Sequence, residues 1–352
     1  MQSYITGIGV FRPSKIMSND FAKETDFIKE GNIQDSRSNS DIISKFEQIT
    51  DITHRTIAAP DILPSDMGYF AARDAIESSN INKENIDYII AAHNWGDTSY
   101  YHRYFDLLPN IAARIKNKLK IENPNCVAYD ILFGCPGWVE GLKQADILIK
   151  SGEAQKVLVI GTDAVSRVVE KCDIDSLLFS DGSGAVILEK ANGEEGILGH
   201  KTLSHCNKEI EFLKMGKSYD PKNNDNELFL KMKGKRVFKY AMENIPKIIK
   251  ECLNKTNLSI DDIQYFLIHQ ANGKMIKMIG EKLFEEFGQK YDEAKIPIIV
   301  GKMGNNSVAT IPTLLYELKY KKVNKRGIIK GDNVIFASVG AGMHTNCLIH
   351  KF

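Results

Sequence analysis

The chain has 352 residues, 46 Lys+Arg against 45 Asp+Glu for a formal net charge of +1, and 43% hydrophobic content. This is the make-up of a soluble globular protein with material for one large or two ordinary domains. The near-neutral balance excludes bulk nucleic-acid binding, which needs surplus Lys/Arg to displace counterions, and no apolar run reaches the roughly 18–20 residues of a membrane span.

The opening MQSYITGIGVFRPS has neither a basic start nor a small-residue cleavage site, so it is not read as a secretory leader. Residues 26–48 are polar and weakly periodic, an excursion that serves either as a lid or as solvated decoration. An amphipathic helix is expected over 66–79 and a β-branched strand over 88–93, then a loop and helix within 97–125. A further helix spans 139–152, with strands at 156–162 and 184–189. Residues 204–227 end in an Asn/Asp cluster and read as loop. A helix at 236–253, a strand at 265–269, a helix after 272, the apolar helix VATIPTLLYELKY and a strand at 333–339 complete the alternation. Strands alternating with helices imply an α/β layered fold.

The chain also repeats itself. Ile86–Ile90 resembles Ile263–Leu267, and Val157-Leu158-Val159 resembles Val334-Ile335-Phe336, both at an offset of 177. Two matches at one offset near half the length imply a duplicated unit. The seam falls near 190–200, giving halves 1–195 and 196–352.

Four features carry chemistry. The run VAYDILFGCPGW at 127–138 takes a strand through a tight turn into a helix that starts at Pro136, with Cys135 on the bend. The positive helix end there favours thiolate; the alternative is a small buried apolar residue. His269-Gln270-Ala271-Asn272 follows a strand, at the carboxyl edge where active sites gather, although a structural histidine fits there equally. Gly304-Asn305-Asn306-Ser307 precedes a helix, where an Asn is often a cap. Gly340-Ala341-Gly342 brings backbone close to a ligand or makes a turn. Six scattered cysteines without a CxxC pair read as reduced cytoplasmic thiols, with no zinc ribbon or disulfide framework.

Taken together these motifs, with ITGIGVFRP, RTIAAP at 55–60, SDGSGAVIL at 180–188, MKGKRVFKYA at 232–241 and the terminal GAGMHTNCLIHKF, give a chain that resembles the β-ketoacyl-acyl-carrier-protein synthase III condensing enzymes of the thiolase superfamily over nearly its whole length. The resemblance implies a thiolase-like fold, with duplicated αβαβα halves in a five-layered sandwich. It makes Cys135 the acyl-accepting nucleophile. His269 and Asn305 would stabilise the enolate formed as a malonyl thioester loses CO₂, and the backbone N–H groups of Cys135 and Ala341 would form the oxyanion hole. No metal or cofactor is implied beyond acyl-CoA or acyl-carrier thioesters as substrates.

An acidic carrier protein is the implied partner, docked on Lys274, Lys277 and Lys282, with Lys231, Lys233, Lys235 and Arg236 adding to the patch. A homodimer follows from the same resemblance, with the loop at 93–109 (Trp95, Tyr100, Tyr101, Tyr104, Phe105) reshaping the partner's acyl pocket. Departures bear on the starter. Lys45 and Ile49 stand where a Trp and an Arg help hold the CoA nucleotide, while the opposing Arg is present as Arg167. Phe133-Gly134 replaces two small residues and Ala341 a Gly. These changes point to a specialised starter, in fatty acid or related secondary-metabolite synthesis. Two alternatives stand beside this reading. One is acyl transfer to another nucleophile or condensation without decarboxylation, with Asp97 or Asp106 as the extra base; the other is a catalytically silent scaffold.

Overall fold

The computed structural model describes residues 2–101, 104–191, 193–223, 227–321, 323 and 326–352. The 93–109 and 204–227 loops each contain residues outside that set, 102–103 and 224–226.

Every strand expected from β-branched runs forms, and each extends by at most a few residues. Tyr88–His93, Lys156–Ala164, Asp181–Ala191, Ile263–Ile268 and Asn333–Gly340 are strands, and the helices are Pro64–Ser79, Gly137–Ser151, Gly234–Thr256 and Gly273–Glu286. A five-stranded sheet runs in the order Gln2–Phe11, Asp181–Ala191, Lys156–Ala164, Tyr88–His93, Val127–Leu132. A four-stranded sheet runs Gly196–Ser204, His344–Lys351, Asn333–Gly340, Ile263–Ile268. The 177-residue offset reappears as register: Val157 pairs with Tyr88 in the first sheet, and Val334 with Tyr265 in the second, both in parallel.

The strands are apolar on both faces because both faces are covered. Ile89, Ala91, Leu158 and Ile160 point to an outer core with Ala71, Ala75 and Ile115 of the flanking helices. Their neighbours Ile90, Val157 and Val159 point the other way, into a central core shared with Trp138 and Leu142, Ile311 and Leu314, and Leu267 and Phe336 of the second sheet. Phe266, Ile268 and Ile335 face a third core with Ile245, Ile249 and Ile276. The period of two thus sorts residues between layers. The result is helix, sheet, helices, sheet, helix. Trp138 meets Phe336 edge to face at 5.8 Å, joining the two sheets through the middle layer.

Two expectations change. The 26–48 excursion is not mere decoration: it holds a short strand pair, Ile28–Lys29 with Ile33–Gln34, and most of the helix Asn39–Thr50, whose Ile42, Ile43 and Phe46 are buried. Ser38 accepts from the Asp41 N–H to cap it. Six large apolar residues spread over this polar run were too few to dominate the pattern. Likewise 204–227 is partly strand, Leu213–Lys217 pairing with Leu228–Met232.

Candidate active site

The strand Val127–Leu132 ends one turn before Cys135, and Gly134, at φ +63°, makes the bend. A helix begins at Gly137, one residue after the expected start, and the Pro136 carbonyl accepts from Glu140 N–H at 3.0 Å and Asn346 Nδ2 at 2.9 Å. The elbow therefore closes against the second half. A Cβ on Gly340 would lie 2.5 Å from the Cys135 nitrogen, and one on Gly134 would lie 2.7 Å from the Ala341 nitrogen. Only hydrogen fits at these two positions, so the elbow and the Gly340-Ala341 turn pack backbone against backbone.

His269 follows the strand Ile263–Ile268, its N–H donating to the Ala337 carbonyl at 2.9 Å. Its Nδ1 lies 2.6 Å from Thr310 Oγ1, at the start of the helix Thr310–Tyr316. Burial lowers its pKa to about 4, so the ring is neutral at physiological pH. A Thr310 hydroxyl that donates to Nδ1 would leave the ring proton on Nε2. Asn305 does not serve as a cap. Its backbone pairs with Leu178 and Ser180 at 2.9 Å each, and its Oδ1 accepts the Ser307 N–H at 2.9 Å. That bond fixes the amide orientation and leaves Nδ2, a donor, for the cavity.

Cys135, His269 and Asn305 line one cavity of about 980 Å³, with Ile174, Leu178, Phe179, Leu213, Met232 and Phe238 among its apolar walls. The cationic residues Lys29, Arg37, Lys45, Lys235 and Lys274 line it as well. Asp175 also lines it, and burial together with Asp173 pushes its pKa up to about 7.

The expected thiolate is corrected. Burial pushes the Cys135 thiol up to about 11, outweighing the hydrogen bond from Ser307 that favours ionisation. Arg167, expected at the nucleotide, is turned inward instead: it donates to the carbonyls of Thr98 (2.6 Å), Ala59 (2.9 Å) and Ile62 (2.6 Å), and is not among the cavity-lining residues. Burial is why three carbonyls claim it. Asp97 and Asp106 are both bound by Arg114, at 2.8 and 2.7 Å, and Asp97 also accepts from Ser65, so neither serves as a base at Cys135. Phe133 stacks on His344, with centroids 4.1 Å apart, rather than lining the cavity.

Of the basic residues, Lys274 and Lys277 are exposed and Lys282 half-buried along one helix. Lys231 is not on that patch. It is buried between Glu170 and Asp173 (3.0 Å to the latter), with its ammonium 3.4 Å from the Tyr219 ring centre. Lys231→Ala strands two buried carboxylates and is expected to cost about 3–5 kcal/mol of unfolding free energy. Urea titration checks this, and an unchanged midpoint would contradict it.

Sequence reasoning quoted Ser307 within its motif without giving it a role, and missed Asp163, Asn94 and Thr310. Ser307, at φ +53°, directs its Oγ to 3.4 Å from Cys135 Sγ. Asp163 had a signal available, as an acid at the carboxyl end of a buried strand.

Among the described residues, no helix is long and apolar enough to cross a membrane, and no group of three His, Cys, Asp or Glu could hold a metal ion. The family description 3-oxoacyl-[acyl-carrier-protein] synthase III matches residues 129–205, and its C-terminal counterpart matches 253–352. A β-ketoacyl-[acyl-carrier-protein] synthase III of Actinobacillus pleuropneumoniae serotype 5b is 32% identical, covering 100% of both chains. The crystal structure of 3-oxoacyl-[acyl-carrier-protein] synthase III from Aquifex aeolicus is 27% identical with a TM-score of 0.80, covering 99% of this chain and 100% of that one. The Thermus thermophilus β-ketoacyl synthase III structure is 28% identical with a TM-score of 0.81, covering 99% of each chain.

Proposed function

Because the chain belongs to the β-ketoacyl-[acyl-carrier-protein] synthase III family of condensing acyltransferases, we propose that it builds a β-ketoacyl thioester on Cys135, His269 and Asn305. Cys135 attacks a starter thioester, and the tetrahedral adduct collapses to the acyl-enzyme as its bond to the first carrier sulfur breaks and that thiol leaves. A malonyl thioester then enters the same cavity and loses CO₂. The charge gathering on its carbonyl oxygen is met by two neutral donors, His269 Nε2–H and Asn305 Nδ2–H. The carbanion attacks the acyl-Cys135 carbonyl, whose oxyanion takes the N–H groups of Cys135 and Ala341. One observation carries the reading: a neutral imidazole and an oriented carboxamide from the second half share a cavity with the thiol from the first.

Lys274, Lys277 and Lys282 are the proposed docking site for an acidic acyl carrier protein, since Lys274 is both exposed and at the cavity. A homodimer is proposed through the edge strand Val127–Leu132, where Val127 and Leu132 are exposed beside an aromatic loop carrying exposed Tyr100 and Tyr101. The halves 1–195 and 196–352 are proposed as the duplicated units. Reduced cysteines, all six unpaired, suit the cytoplasm.

The test is CO₂ release. Carboxyl-labelled malonyl-carrier, given with a starter thioester, is expected to lose label in step with product formation; condensation without label loss would overturn the reading. Lys274→Glu is expected to raise KM for malonyl-carrier about tenfold and to raise KM for acyl-CoA by less, which steady-state assays with each donor would check.

A further inference from the structure

In the acyl-enzyme cycle the Cys135 sulfur carries negative charge twice: when it attacks the starter, and when the carbanion displaces it. Burial disfavours that charge at both moments. His269 and Asn305 serve the enolate, and the backbone N–H groups serve the oxyanion, so the sulfur needs a donor of its own. Ser307, only 2% exposed, donates from Oγ to Cys135 Sγ at 3.4 Å. What directs that proton lies behind it. The two protons of Asn94 Nδ2 go to Asp163 Oδ2 at 2.7 Å and to Ser307 Oγ at 3.1 Å. Asp163 Oδ1 also takes the Asn94 backbone N–H at 2.9 Å, so one carboxylate grips that residue at two points. An ionised carboxylate only accepts, which turns the nitrogen of the Asn94 amide this way and not its oxygen. Ser307 Oγ, already accepting from Asn94, gives its single proton to the sulfur. On the other side the Ser307 N–H donates to Asn305 Oδ1 at 2.9 Å, and the residue holds φ +53°. Such a backbone is costly for a non-glycine residue and persists where its surroundings impose it.

We propose that Ser307 is a further catalytic residue: its hydroxyl stabilises the Cys135 thiolate both as nucleophile and as leaving group, with Asn94 and Asp163 as the residues that position it. This rests on the acyl-enzyme reading above. In the first half-reaction the thiol proton passes to solvent water and the thiolate sulfur bonds to the starter carbonyl carbon. The bond from that carbon to the carrier sulfur then breaks, and the carrier thiolate takes a proton from solvent. In the second, the carbanion bonds to the same carbon and the bond to Cys135 Sγ breaks. Sulfur leaves with the electron pair and is reprotonated from solvent. Ser307 keeps its own proton throughout; its hydrogen bond strengthens each time the sulfur becomes charged.

The titratable groups facing Cys135 are Asp163, whose charge opposes thiolate formation, and His269 across the cavity, neutral above about pH 4. Asp175 and the cationic residues Lys29, Arg37, Lys45, Lys235 and Lys274 line the same cavity, and the Gly340-Ala341 turn packed on the elbow has no titratable side chain. Burial pushes Asp163 up to about 6, so at pH 8 it is ionised and its hold on Asn94 is complete. Ser307 therefore has to outdo a nearby carboxylate at the sulfur, which charge alone makes harder to ionise.

The experiment follows Cys135 by intact-protein mass at pH 8 in the full chain and its Ser307→Ala, Ser307→Gly and Asn94→Ala variants. Glycine accepts a positive φ, so Ser307→Gly removes the hydroxyl without backbone strain. The probes are two neutral thiol reagents of different size, iodoacetamide and methyl methanethiosulfonate, then a straight-chain acyl-CoA series followed by cleavage of the acyl-enzyme with hydroxylamine. Losing a hydrogen bond to a charged group lowers thiolate about 10–100-fold. Labelling is expected to fall less, about 3–10-fold, because a thiolate of higher pKa is the stronger nucleophile. Both reagents should slow by a like factor, hydroxylamine cleavage should slow as well, and Asn94→Ala should show the same sign. Loosened packing predicts the opposite, since a wider cavity admits each reagent more readily. Equal or faster labelling in the Ser307 variants, or a factor that follows reagent size, would overturn the proposal; unchanged hydroxylamine cleavage would overturn the leaving-group role. Ser307→Gly decides if Ser307→Ala does not fold, and Asn94→Ala if neither does. If no acyl-CoA labels Cys135 in the unmodified protein, the acyl-enzyme reading fails, while the two small reagents still decide whether Ser307 stabilises the thiolate.

Discussion

Replacing Cys135 by Ala is expected to remove covalent acylation altogether, with condensation falling by at least about 10⁴-fold. The reason is chemical as well as positional. No other free cysteine lines the cavity: Cys126, Cys252 and Cys347 are buried in the cores, Cys206 is exposed elsewhere, and Cys172 is absent from the cavity wall. An alanine Cβ fits wherever the cysteine does, so the fold should survive and the loss should lie in the chemistry. Intact-protein mass after incubation with acyl thioesters checks both halves. Residual labelling in Cys135→Ala would mean that another nucleophile carries the starter.

His269→Ala and Asn305→Ala should divide the reaction where Cys135→Ala does not. Each removes one donor from the enolate oxygen, and the decarboxylation rate is expected to fall about 10²–10³-fold, while acylation of Cys135 changes by only a few-fold. Neutrality matters here. Burial keeps His269 uncharged down to about pH 4, so decarboxylation should not decline as pH falls from 8 to 6 on this residue's account. The Asn305 variant carries an extra consequence: its Oδ1 anchors the Ser307 N–H, so Asn305→Asp would keep that acceptor while losing the donor. Label release from malonyl-carrier, measured beside acyl-enzyme formation, separates the steps. Equal loss of both half-reactions in His269→Ala would contradict its assignment to the second.

Much of the architecture was legible because it follows from short-range patterning. Tyr88–His93 and Ile263–Ile268 carry consecutive apolar residues, Ile89–Ala92 and Tyr265–Ile268, as strands covered on both faces do, and their matching offsets give the pairing register in both sheets. The elbow was legible from Gly134, Cys135 and Pro136, whose conformational limits act within one turn. Electrostatics was not. Whether a helix end or burial governs Cys135 depends on how much water the folded chain excludes, which no local pattern encodes. Arg167 and Lys231 misled for the same reason. A basic side chain reads as a surface cation until the fold surrounds one with three carbonyls and the other with Glu170 and Asp173. Asp163 and Asn94 lie far from Cys135 in sequence and meet it only through Ser307, so their grouping emerges with the tertiary structure.

A single turnover on pre-acylated protein tests the carbon–carbon bond-forming claim most directly. Malonyl-carrier is added to enzyme bearing one starter group on Cys135, and both proteins are weighed. The account predicts that Cys135 returns to its free mass as the carrier gains the acyl group and loses one CO₂. An acyl group that leaves Cys135 by hydrolysis, or a carrier that takes it up with the malonyl carboxylate intact, would contradict it.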